Sequence, residues 1–432
     1  MRVRTHTGRD LPGSRRSSDE AVRILHVNKF LYRRGGAEAY MLDTSELQAR
    51  HGHQIAYYSM DHPLNSPSDF TAHFPRHIEF DPPPSTVGGK LRVAGRLLYS
   101  PSAKRGIQHV LKDFRPDIVH LHNIYHQLSP SILRPLKKKG IPAIMTLHDY
   151  KLVCPTYLFL DHGQVCEACL GGHFYEAVRR RCNNGSLVAS SLNAFEMTVH
   201  TGLKLYSPVG LFLCPSRFLM KKMEQGGVFP DRLRCVPNFV DAGGIKTQDE
   251  PGSGVVYAGR LSMEKGVDVL IEAVADAGVD LQVAGDGPDR PALTALADRL
   301  GARVHWHGHL PQGKLHAVVR SAAVSVLPSR CHENQPLGVL ESFACGVPVI
   351  GTTLGGIPEL IEPGIDGDLV APNDPQALAF ALERVLSNPQ RAHEMGKAGR
   401  RKCEREFSPE AHLERLKKAY ADAIAHADNP AA

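Results

Sequence analysis

The sequence predicts an α/β protein built from two doubly wound parallel-sheet domains that face each other across a cleft. Two series of short apolar runs alternate with helical stretches, one from about residue 22 and one that is unmistakable from residue 254. Repeated alternation of this kind is typical of parallel sheets covered by helices on both faces. The length of 432 residues, with 42% hydrophobic and 22% charged residues, suits two domains of an ordinary globular protein.

The first series supplies the predicted N-terminal domain, residues 21–210. Its strand-like runs lie at residues 22–27, 53–59, 117–122 and 142–147. The glycine pair Gly35-Gly36 and a helical stretch at residues 37–50 separate the first two runs. Polar residues follow the last two runs, including the pair His148-Asp149. Because parallel sheets bind ligands beyond the carboxyl ends of their strands, we expect a site there.

The second series supplies the predicted C-terminal domain, residues 211–407. It begins near Leu211, and its later strands and helices alternate at residues 255–258, 266–277, 280–284, 291–300 and 304–307. Residues 236–254 are polar and contain glycine and proline, so we expect part of this segment to be the interdomain linker. A final helix is predicted at residues 408–427, because Ser408 is a good N-cap and Pro409 suits the first helical position.

Charge and composition exclude several classes of protein. The net charge of +6 is modest, and no run of like charges is long enough to wrap a nucleic acid, so no nucleic-acid partner is expected. Residues 1–20 contain five arginines and no apolar core, which predicts a disordered leader. Without an apolar stretch of about 18 residues, and with nine unevenly placed cysteines, the sequence predicts a cytoplasmic protein.

Two segments mix basic and apolar residues, at 90–104 and 217–222. Such a mixture is typical of a surface that touches a membrane, and it predicts peripheral contact with the cytoplasmic face of a bilayer. The same pattern also fits helices whose apolar side packs on the core while the basic side is solvated.

Two glutamates, Glu333 and Glu341, are separated by seven residues within a segment rich in glycine and proline. Around them lie Pro336-Leu337-Gly338, Gly346-Val347-Pro348 and Gly355-Gly356-Ile357-Pro358-Glu359. This segment resembles family 4 of the retaining GT-B glycosyltransferases, whose E-x7-E motif it matches. The resemblance extends over residues 22–425. It implies two Rossmann-like domains, a nucleotide-sugar donor held mainly by the C-terminal half, and a final helix that crosses back to the N-terminal domain.

A helix beginning near Pro336 would offer free backbone N–H groups and its positive end to a diphosphate. The resemblance implies that Glu333 lies beside the donor sugar and that Glu341 accepts hydrogen bonds from the ribose. It also implies donor contacts from three residues of the same segment: Asn334, Leu337 and Gly338.

Two cations lie in Gly259-Arg260-Leu261 and Glu264-Lys265-Gly266, between a strand and a helix. This stretch resembles the pyrophosphate-binding stretch of the family, with Arg260 and Lys265 as the cations. Fixed cations stabilise the negative charge that develops on a leaving phosphate, so no catalytic metal is expected.

The remaining loops resemble other parts of the family's cleft. Gly35-Gly36 resembles the glycine loop that approaches the donor phosphates, and it departs from the pattern of a nicotinamide dinucleotide site. Gly308 and His309 occupy the place where relatives contact the nucleobase. His148 matches the family's histidine at the cleft edge, near the donor sugar and the acceptor hydroxyl. The loop Gly285-Asp286-Gly287-Pro288 would shape the donor pocket.

Four cysteines, Cys154, Cys166, Cys169 and Cys182, have the spacing C-x11-C-x2-C-x12-C. One C-x2-C pair with two flanking thiolates suits tetrahedral zinc, so we expect a structural zinc site in an insertion at residues 151–185. Reduced free cysteines and an iron–sulfur cluster are the alternatives, and nearby histidines could replace a cysteine.

These observations predict a retaining glycosyltransferase that uses a UDP- or GDP-sugar and acts on a saccharide or lipid-linked acceptor, as in cell-surface polysaccharide biosynthesis. Two other functions fit the same fold. One is a UDP-sugar epimerase, which needs no acceptor, and the other is a non-catalytic protein that binds a nucleotide or a glycan.

Overall fold

The structure is a computed structural model that describes residues 21–78 and 95–428. The predicted leader at residues 1–20 and part of the basic segment at 90–104 lie outside these ranges. The strands are β1 Arg23–Val27, β2 Gln54–Tyr58, β3 Ile118–Leu121, β4 Ala143–Thr146, β5 Leu160–Asp161, β6 Gln164–Val165, β7 Leu211–Cys214, β8 Leu233–Cys235, β9 Val255–Ala258, β10 Leu281–Ala284, β11 Val304–Gly308, β12 Val324–Leu327, β13 Val349–Thr352 and β14 Gly367–Val370.

The helices cover both sheets. They are α1 Gly36–Arg50, α2 Pro101–Asp113, α3 Leu133–Lys139, α4 Tyr175–Arg180, α5 Leu187–Gly202, α6 Arg217–Gln225, α7 Val267–Ala277, α8 Arg290–Leu300, α9 Gln312–Ser321, α10 Leu337–Ala344, α11 Pro375–Leu386, α12 Pro389–Glu406 and α13 Pro409–Asp428. Within the described ranges, no helix combines the length and the apolar character that a membrane crossing requires.

The N-terminal sheet has six parallel strands in the order β2-β1-β3-β4-β7-β8. The predicted boundary at residue 210 is therefore wrong, because β7 and β8 belong to the first sheet. β7 pairs with β4, and its Leu211 and Leu213 are fully buried. Strand partners in a parallel sheet are distant along the chain, so the local pattern of this segment did not reveal which sheet it joins.

The C-terminal sheet also has six parallel strands, in the order β11-β10-β9-β12-β13-β14. The order runs outward in both directions from β9, so the loops after β9 and β12 lie side by side at one edge of the sheet. This is the switch point at which doubly wound sheets bind their ligands. Two sheets of this kind confirm the predicted fold class.

The segment between β8 and β9 is the linker that the sequence predicted. Helix α13 then returns to the N-terminal domain, where its buried Leu416, Ala419 and Ala423 pack against Ile24 and Leu211. The Ser408 hydroxyl accepts a hydrogen bond from the Ala411 N–H at 3.2 Å, as expected of an N-cap. The prediction that this helix braces the first domain is confirmed.

The basic segment at 217–222 has its apolar side chains turned inward. Leu219 is fully buried, and Phe218 and Met220 pack against the N-terminal core. This packing fits the alternative of a helix whose apolar side meets the core, and contact of the segment with a membrane stays a prediction. Its apolar side completes the core of its own domain, and only the basic side faces solvent.

Candidate active site

Glu333 lies in the loop between β12 and α10, and one of its carboxylate oxygens receives two hydrogen bonds. Lys265 Nζ is 2.6 Å and Ser329 Oγ is 2.7 Å from Glu333 Oε1. Burial opposes ionisation, but the charge and hydrogen bond of Lys265 and the Ser329 hydroxyl together hold the pKa of Glu333 below its ordinary value. The carboxylate is thus ionised, and Oε2 makes no hydrogen bond to any other described residue.

Lys265 is fixed by the contact between two loops. It ends a short 3₁₀ turn, and Gly266 follows with a φ of 66°, a conformation that favours glycine. A Cβ at Gly266 would lie 2.2 Å from the carbonyl oxygen of Pro328, so the two loops touch through backbone. Burial lowers the pKa of Lys265, but the charge of Glu333 outweighs it and the pKa is raised.

A second pair of glycines supports Glu333 from behind. Cβ atoms at Gly355 and Gly356 would lie 2.2 Å from the Glu333 carbonyl oxygen and 1.8 Å from that of Asn334. The Gly356 N–H donates a hydrogen bond to the Glu333 carbonyl at 2.7 Å. The sequence marked these glycines only through the family resemblance, whereas the structure shows that they leave room for the Glu333 loop.

Two helix N-termini from opposite domains meet beside this ion pair. A Cβ at Gly36, the first residue of α1, would lie 3.8 Å from Leu337 Cδ1 at the start of α10. The first N–H groups of a helix have no partner within the helix, and its N-terminal end carries partial positive charge. The starts of the two helices, with Gly36 and Leu337, are therefore brought together at a place suited to a diphosphate, and donor contact from Gly35, Gly36, Leu337 and Gly338 stays a prediction.

Glu341 lies on α10, close to the N-terminal domain. Burial raises its pKa to about 7; the nearby Asp43 raises it further and Arg33 lowers it. The side chain is therefore partly ionised at neutral pH, and its ionised form can accept hydrogen bonds from a pair of sugar hydroxyls. The approach of α1 to this residue was not visible in the sequence.

Arg260 is exposed after β9 and does not contact Glu333. Together with Arg34 of the N-terminal domain, it lies close enough to Tyr157 to favour the ionised form of that phenol, although burial raises the pKa of Tyr157 overall. The two arginines thus reach the same point from opposite domains. Arg34, held over the Phe30 ring at 4.3 Å, is a candidate cation that the sequence reasoning missed.

The loops after β9, β10 and β11 pack side by side through backbone. A Cβ at Gly285 would lie 1.8 Å from the Gly259 carbonyl oxygen, and the Gly285 N–H donates to the Gly308 carbonyl at 2.8 Å. His309 is exposed beyond them and makes no hydrogen bond within the described part of the chain. Gly308 thus lies in the same group of loops as Gly259, and the contact of Gly308 and His309 with a nucleobase stays a prediction.

Asn334 faces the N-terminal domain, which differs from its predicted place in the donor site. Its Nδ2 donates to the Leu147 carbonyl at 2.9 Å, and its Oδ1 accepts from Ser216 Oγ at 3.0 Å. Both ends of the amide are thus occupied by an interdomain contact. The direction of an amide side chain depends on tertiary neighbours, which a local motif does not contain.

His148 follows β4 and is half-buried, and its contact with the donor sugar or the acceptor hydroxyl stays a prediction. Burial lowers its pKa to about 3, so the imidazole is neutral. Its Nε2 is 3.1 Å from Nδ1 of His122, and the ring of Tyr40 packs edge-on at 5.2 Å. His122 itself is fully buried, so it cannot contact an acceptor directly.

The insertion reaches the donor loop as well as its own domain. Glu167 Oε1 is 3.1 Å from Nε2 of His332, the neighbour of Glu333, and Glu167 Oε2 accepts from Lys222 Nζ at 2.6 Å. The sequence predicted this insertion at residues 151–185, directly after His148-Asp149. The structure shows in addition that it spans the cleft to the loop that carries Glu333.

The four cysteines of the insertion are reduced and near one another. Burial, followed by the neighbouring thiols, raises the pKa of Cys169 to about 12 and that of Cys182 to about 11. Among the described residues, the one set of three or more ligand atoms within 4.8 Å of one another is His26, His120 and His122. The sulfurs are thus not assembled into a tetrahedral site here, and zinc stays a prediction.

Known proteins resemble the chain in sequence and in fold. The α-maltose-1-phosphate synthase of Mycolicibacterium smegmatis is 33% identical over 212 residues, which cover 41% of this chain and 54% of that protein. The chain spans about half the length, or less, of the first curated relatives it matches.

Solved structures show the same fold over nearly the whole chain. The sucrose-phosphate synthase of Thermosynechococcus elongatus superposes with a TM-score of 0.71 at 19% identity, covering 94% of this chain and 99% of that one. HepE of Anabaena, solved in complex with UDP-glucose, superposes with a TM-score of 0.63 at 18% identity, covering 92% and 98%.

Two family models divide the chain at the linker that the structure shows. Glycosyltransferase Family 4 matches residues 34–243, and Glycosyl transferases group 1 matches residues 246–402. The E-x7-E segment, both cations and the donor loops lie within the second match. The chain belongs to the family 4, group 1 glycosyltransferases and has the GT-B fold.

Proposed function

We propose that the chain is a retaining glycosyltransferase that moves a sugar from a UDP- or GDP-sugar to a saccharide or lipid-linked acceptor in cell-surface polysaccharide assembly. The observation that carries this proposal is the ion pair of Glu333 and Lys265 beside two converging helix N-termini. Departure of a nucleoside diphosphate needs positive charge on the phosphates, and a sugar that becomes oxocarbenium-like needs a carboxylate nearby. This site holds both within one cleft.

The leaving diphosphate is bound by charge from both domains in this proposal. Lys265 is held against Glu333 and presents a fixed cation, while Arg260 and Arg34 add exposed ones at the surface. The N–H groups that begin α1 and α10 provide directed donors that need no reorganisation when charge develops. Protein groups thus stabilise the negative charge of the leaving diphosphate, and we expect no catalytic metal.

The sugar lies between Glu333 and His148 in this proposal. The free Oε2 of Glu333 faces developing positive charge, and the neutral imidazole of His148 pairs with a hydroxyl. Neither group needs to become a nucleophile, because in front-face attack the acceptor oxygen bonds to the anomeric carbon directly as the bond to the phosphate oxygen breaks, and the departing phosphate takes the acceptor proton. Transfer with retention therefore needs positioning more than a dedicated protein base.

The donor base remains to be assigned by experiment, and UDP is the first to test. The Anabaena structural neighbour is described in complex with UDP-glucose. Glu341 supports a ribose-binding role, because the two oxygens of an ionised carboxylate can accept from two vicinal hydroxyls.

Two rival functions predict different products. An epimerase would convert a UDP-sugar into its epimer without an acceptor, and a binding protein would form no product. The pair of Lys265 and Glu333 favours transfer over binding alone, because a binding protein has no use for a cation that stabilises a leaving phosphate.

The test is a thermal-shift series with UDP, GDP and ADP, followed by product analysis with the sugar nucleotide that stabilises most. Selective binding raises the unfolding temperature by mass action. Transfer to an added saccharide or lipid-linked acceptor, with the anomeric configuration kept, supports the proposal. An epimerised nucleotide sugar, or stabilisation by a diphosphate with no turnover, would contradict it.

We also propose that the four thiols of the insertion bind structural zinc after a small rearrangement of their loops. The clustering of Cys169 and Cys182 with Cys154 and Cys166 supports this. Metal analysis of the purified protein tests it, with Cys166→Ser compared against Cys403→Ser, which removes a buried thiol of the C-terminal domain. Equal metal content in the two variants would contradict a site at the insertion.

A further inference from the structure

Four histidines form a row across the carboxyl edge of the N-terminal sheet. His26 in β1 pairs in register with His120 in β3, while His122 and His148 follow β3 and β4. His26, His120 and His122 are fully buried. Polar rings at the centre of an apolar sheet are costly unless every ring nitrogen has a partner, so their hydrogen bonds decide what the row does.

The row is a continuous chain of hydrogen bonds that begins at the cleft. His148 Nε2 is 3.1 Å from His122 Nδ1, and His122 Nε2 is 3.1 Å from His26 Nδ1. His26 Nε2 then lies 2.8 Å from Oε1 of Gln48, near the end of α1. His122 and His26 thus each use one ring nitrogen toward the preceding residue of the chain of hydrogen bonds and the other toward the next residue.

The chain continues into the C-terminal helix. Gln48 Nε2 donates to the hydroxyl of Tyr420 in α13 at 2.7 Å, and that hydroxyl lies 2.8 Å from His120 Nδ1. His120 Nε2 ends the chain 2.7 Å from the hydroxyl of Thr146. Every nitrogen of the three buried rings therefore has a protein partner. No ring nitrogen is left to bind a metal ion, although the three rings lie close enough together to hold one.

Neutral histidines give such a chain a direction. Burial lowers the pKa of His26 to about 4 and places the pKa of His122 well below its ordinary value. A neutral ring has one N–H and one acceptor nitrogen, so fixing one fixes the other. The Gln48 oxygen only accepts, and therefore His26 carries its proton on Nε2. His122 must then donate from Nε2, and His148 must donate from Nε2 as well.

We propose that Gln48 and Tyr420 are positioning residues that hold His148 in its Nε2–H form through His26 and His122, so that Nδ1 presents a lone pair to a hydroxyl in the cleft. Nδ1 of His148 makes no hydrogen bond within the described residues, which leaves it available. The role at the hydroxyl rests on the proposed transferase function, whereas the tautomer does not.

The connection also gives α13 a second role. Tyr420 accepts from the Gln48 amide and so keeps the oxygen of that amide turned toward His26. Without the hydroxyl, the amide is free to turn over, and reversal would pass along the chain and place the His148 proton on Nδ1. A helix at the end of the chain thereby orients a side chain in the active cleft.

The experiment is a ¹⁵N spectrum of the histidine rings in the labelled full-length protein, without substrate. The signal of His148 is assigned as the one lost in His148→Gln. We expect wild-type His148 to carry its proton on Nε2 alone. Gln48→Met, which keeps the side-chain length but removes the acceptor, should give a mixture of both tautomers, and Tyr420→Phe should do the same.

Two further variants separate positioning from general loss of structure. Gln48→Glu keeps an acceptor at the same place and should restore the wild-type tautomer. Ser45→Ala removes a hydrogen bond to Tyr57 from the same helix, outside the chain, and should leave the spectrum unchanged. A single Nε2–H signal in Gln48→Met, or a wild-type protein with the proton on Nδ1, would overturn the proposal.

Kinetics give the second readout once a substrate pair is in hand. Gln48→Met should lower kcat about tenfold with little change in the donor KM, because the groups proposed to bind the diphosphate lie outside this chain of hydrogen bonds. If transfer is not the function, the spectrum still decides whether the chain of hydrogen bonds fixes His148. An unchanged kcat in a variant whose tautomer is mixed would contradict the role at the hydroxyl.

Discussion

The two walls of the cleft are built from opposite kinds of polar group. The C-terminal wall carries full charges, Lys265 against Glu333, set among glycines that let backbone loops touch. The N-terminal wall carries neutral rings whose pKa values burial holds far below the ordinary value, with His148 at about 3. Charged ligands need the first kind of surface and hydroxyls need the second, so each domain fits one part of a sugar nucleotide and its acceptor.

Breaking the ion pair should have the largest effect. Lys265→Ala and Glu333→Ala should each lower kcat/KM on the order of 10²-fold or more, because each removes charge aimed at the reacting centre. The fold should persist, since both side chains are partly exposed and neither belongs to the core. Steady-state kinetics with unfolding temperatures measure the two effects separately.

Lys314→Ala is the matched control, because that exposed lysine of α9 lies outside the cleft-facing loops. It should leave both readouts unchanged. Full activity in Lys265→Ala would remove the ion pair from the site. It would also mean that activity does not depend on the full charges of the C-terminal wall.

The difference between the walls also predicts opposite responses to acid. For His26 and His148, the pKa in the folded protein lies near 4 and 3, against 6.5 in the unfolded chain. Between pH 6.5 and 4 the unfolded chain therefore binds protons that the folded domain excludes, and stability falls as pH falls. For Glu341, with a folded pKa of about 7, the folded protein holds the extra proton between pH 4.5 and 7, so its contribution rises as pH falls.

We expect the N-terminal domain to open first when pH is lowered from 7.5 to 5. Hydrogen exchange measured on peptides from β1 and β3, compared with peptides from β9 and β10, follows the two domains separately. The single tryptophan, Trp306 in β11, reports the C-terminal domain by fluorescence. Earlier opening of the C-terminal sheet, or equal loss of protection in both, would contradict the assignment of the neutral histidines.

The sequence predicted the C-terminal wall better than the N-terminal one, and the reason is physical. Glu333, Lys265 and the glycine loops act through backbone turns and fixed spacing, which a local motif contains. The hydrogen bonds of the buried histidines depend on rings from three strands and on Tyr420, which lies about 300 residues after its partner His120. Membership of β7 in the first sheet and the interdomain direction of Asn334 were missed for the same reason, because each is set by partners distant in sequence.

Glu359 is a further residue whose partners cannot be predicted from the motif. It belongs to the C-terminal segment that resembles the family, yet its carboxylate accepts from the backbone N–H groups of Arg217 and Phe218 at 2.9 and 2.6 Å. These are the first N–H groups of α6 in the other domain, which a helix leaves unpaired. A residue that reads as part of the donor motif thus caps a helix across the cleft.

A smaller effect is expected from the titration of Glu341. The ionised carboxylate accepts from two ribose hydroxyls, whereas the protonated form must use one oxygen as a donor. The donor KM should therefore fall severalfold as pH rises through about 7, with little change in kcat. Glu341→Gln should weaken donor binding and flatten this dependence, and a wild-type KM that does not vary between pH 6 and 8 would contradict the ribose contact.

The smallest effect should come from the contact between the insertion and the donor loop. Glu167 is one-third exposed and pairs with Lys222 and His332, so solvent screens much of its charge. Glu167→Gln should change kcat about twofold or less and leave the unfolding temperature nearly unchanged. Glu176→Gln, which removes an exposed ion pair elsewhere in the insertion, is the control. A loss of activity as large as that of Lys265→Ala would mean that the insertion holds His332 and Glu333 in place, and the site would then extend beyond the two walls.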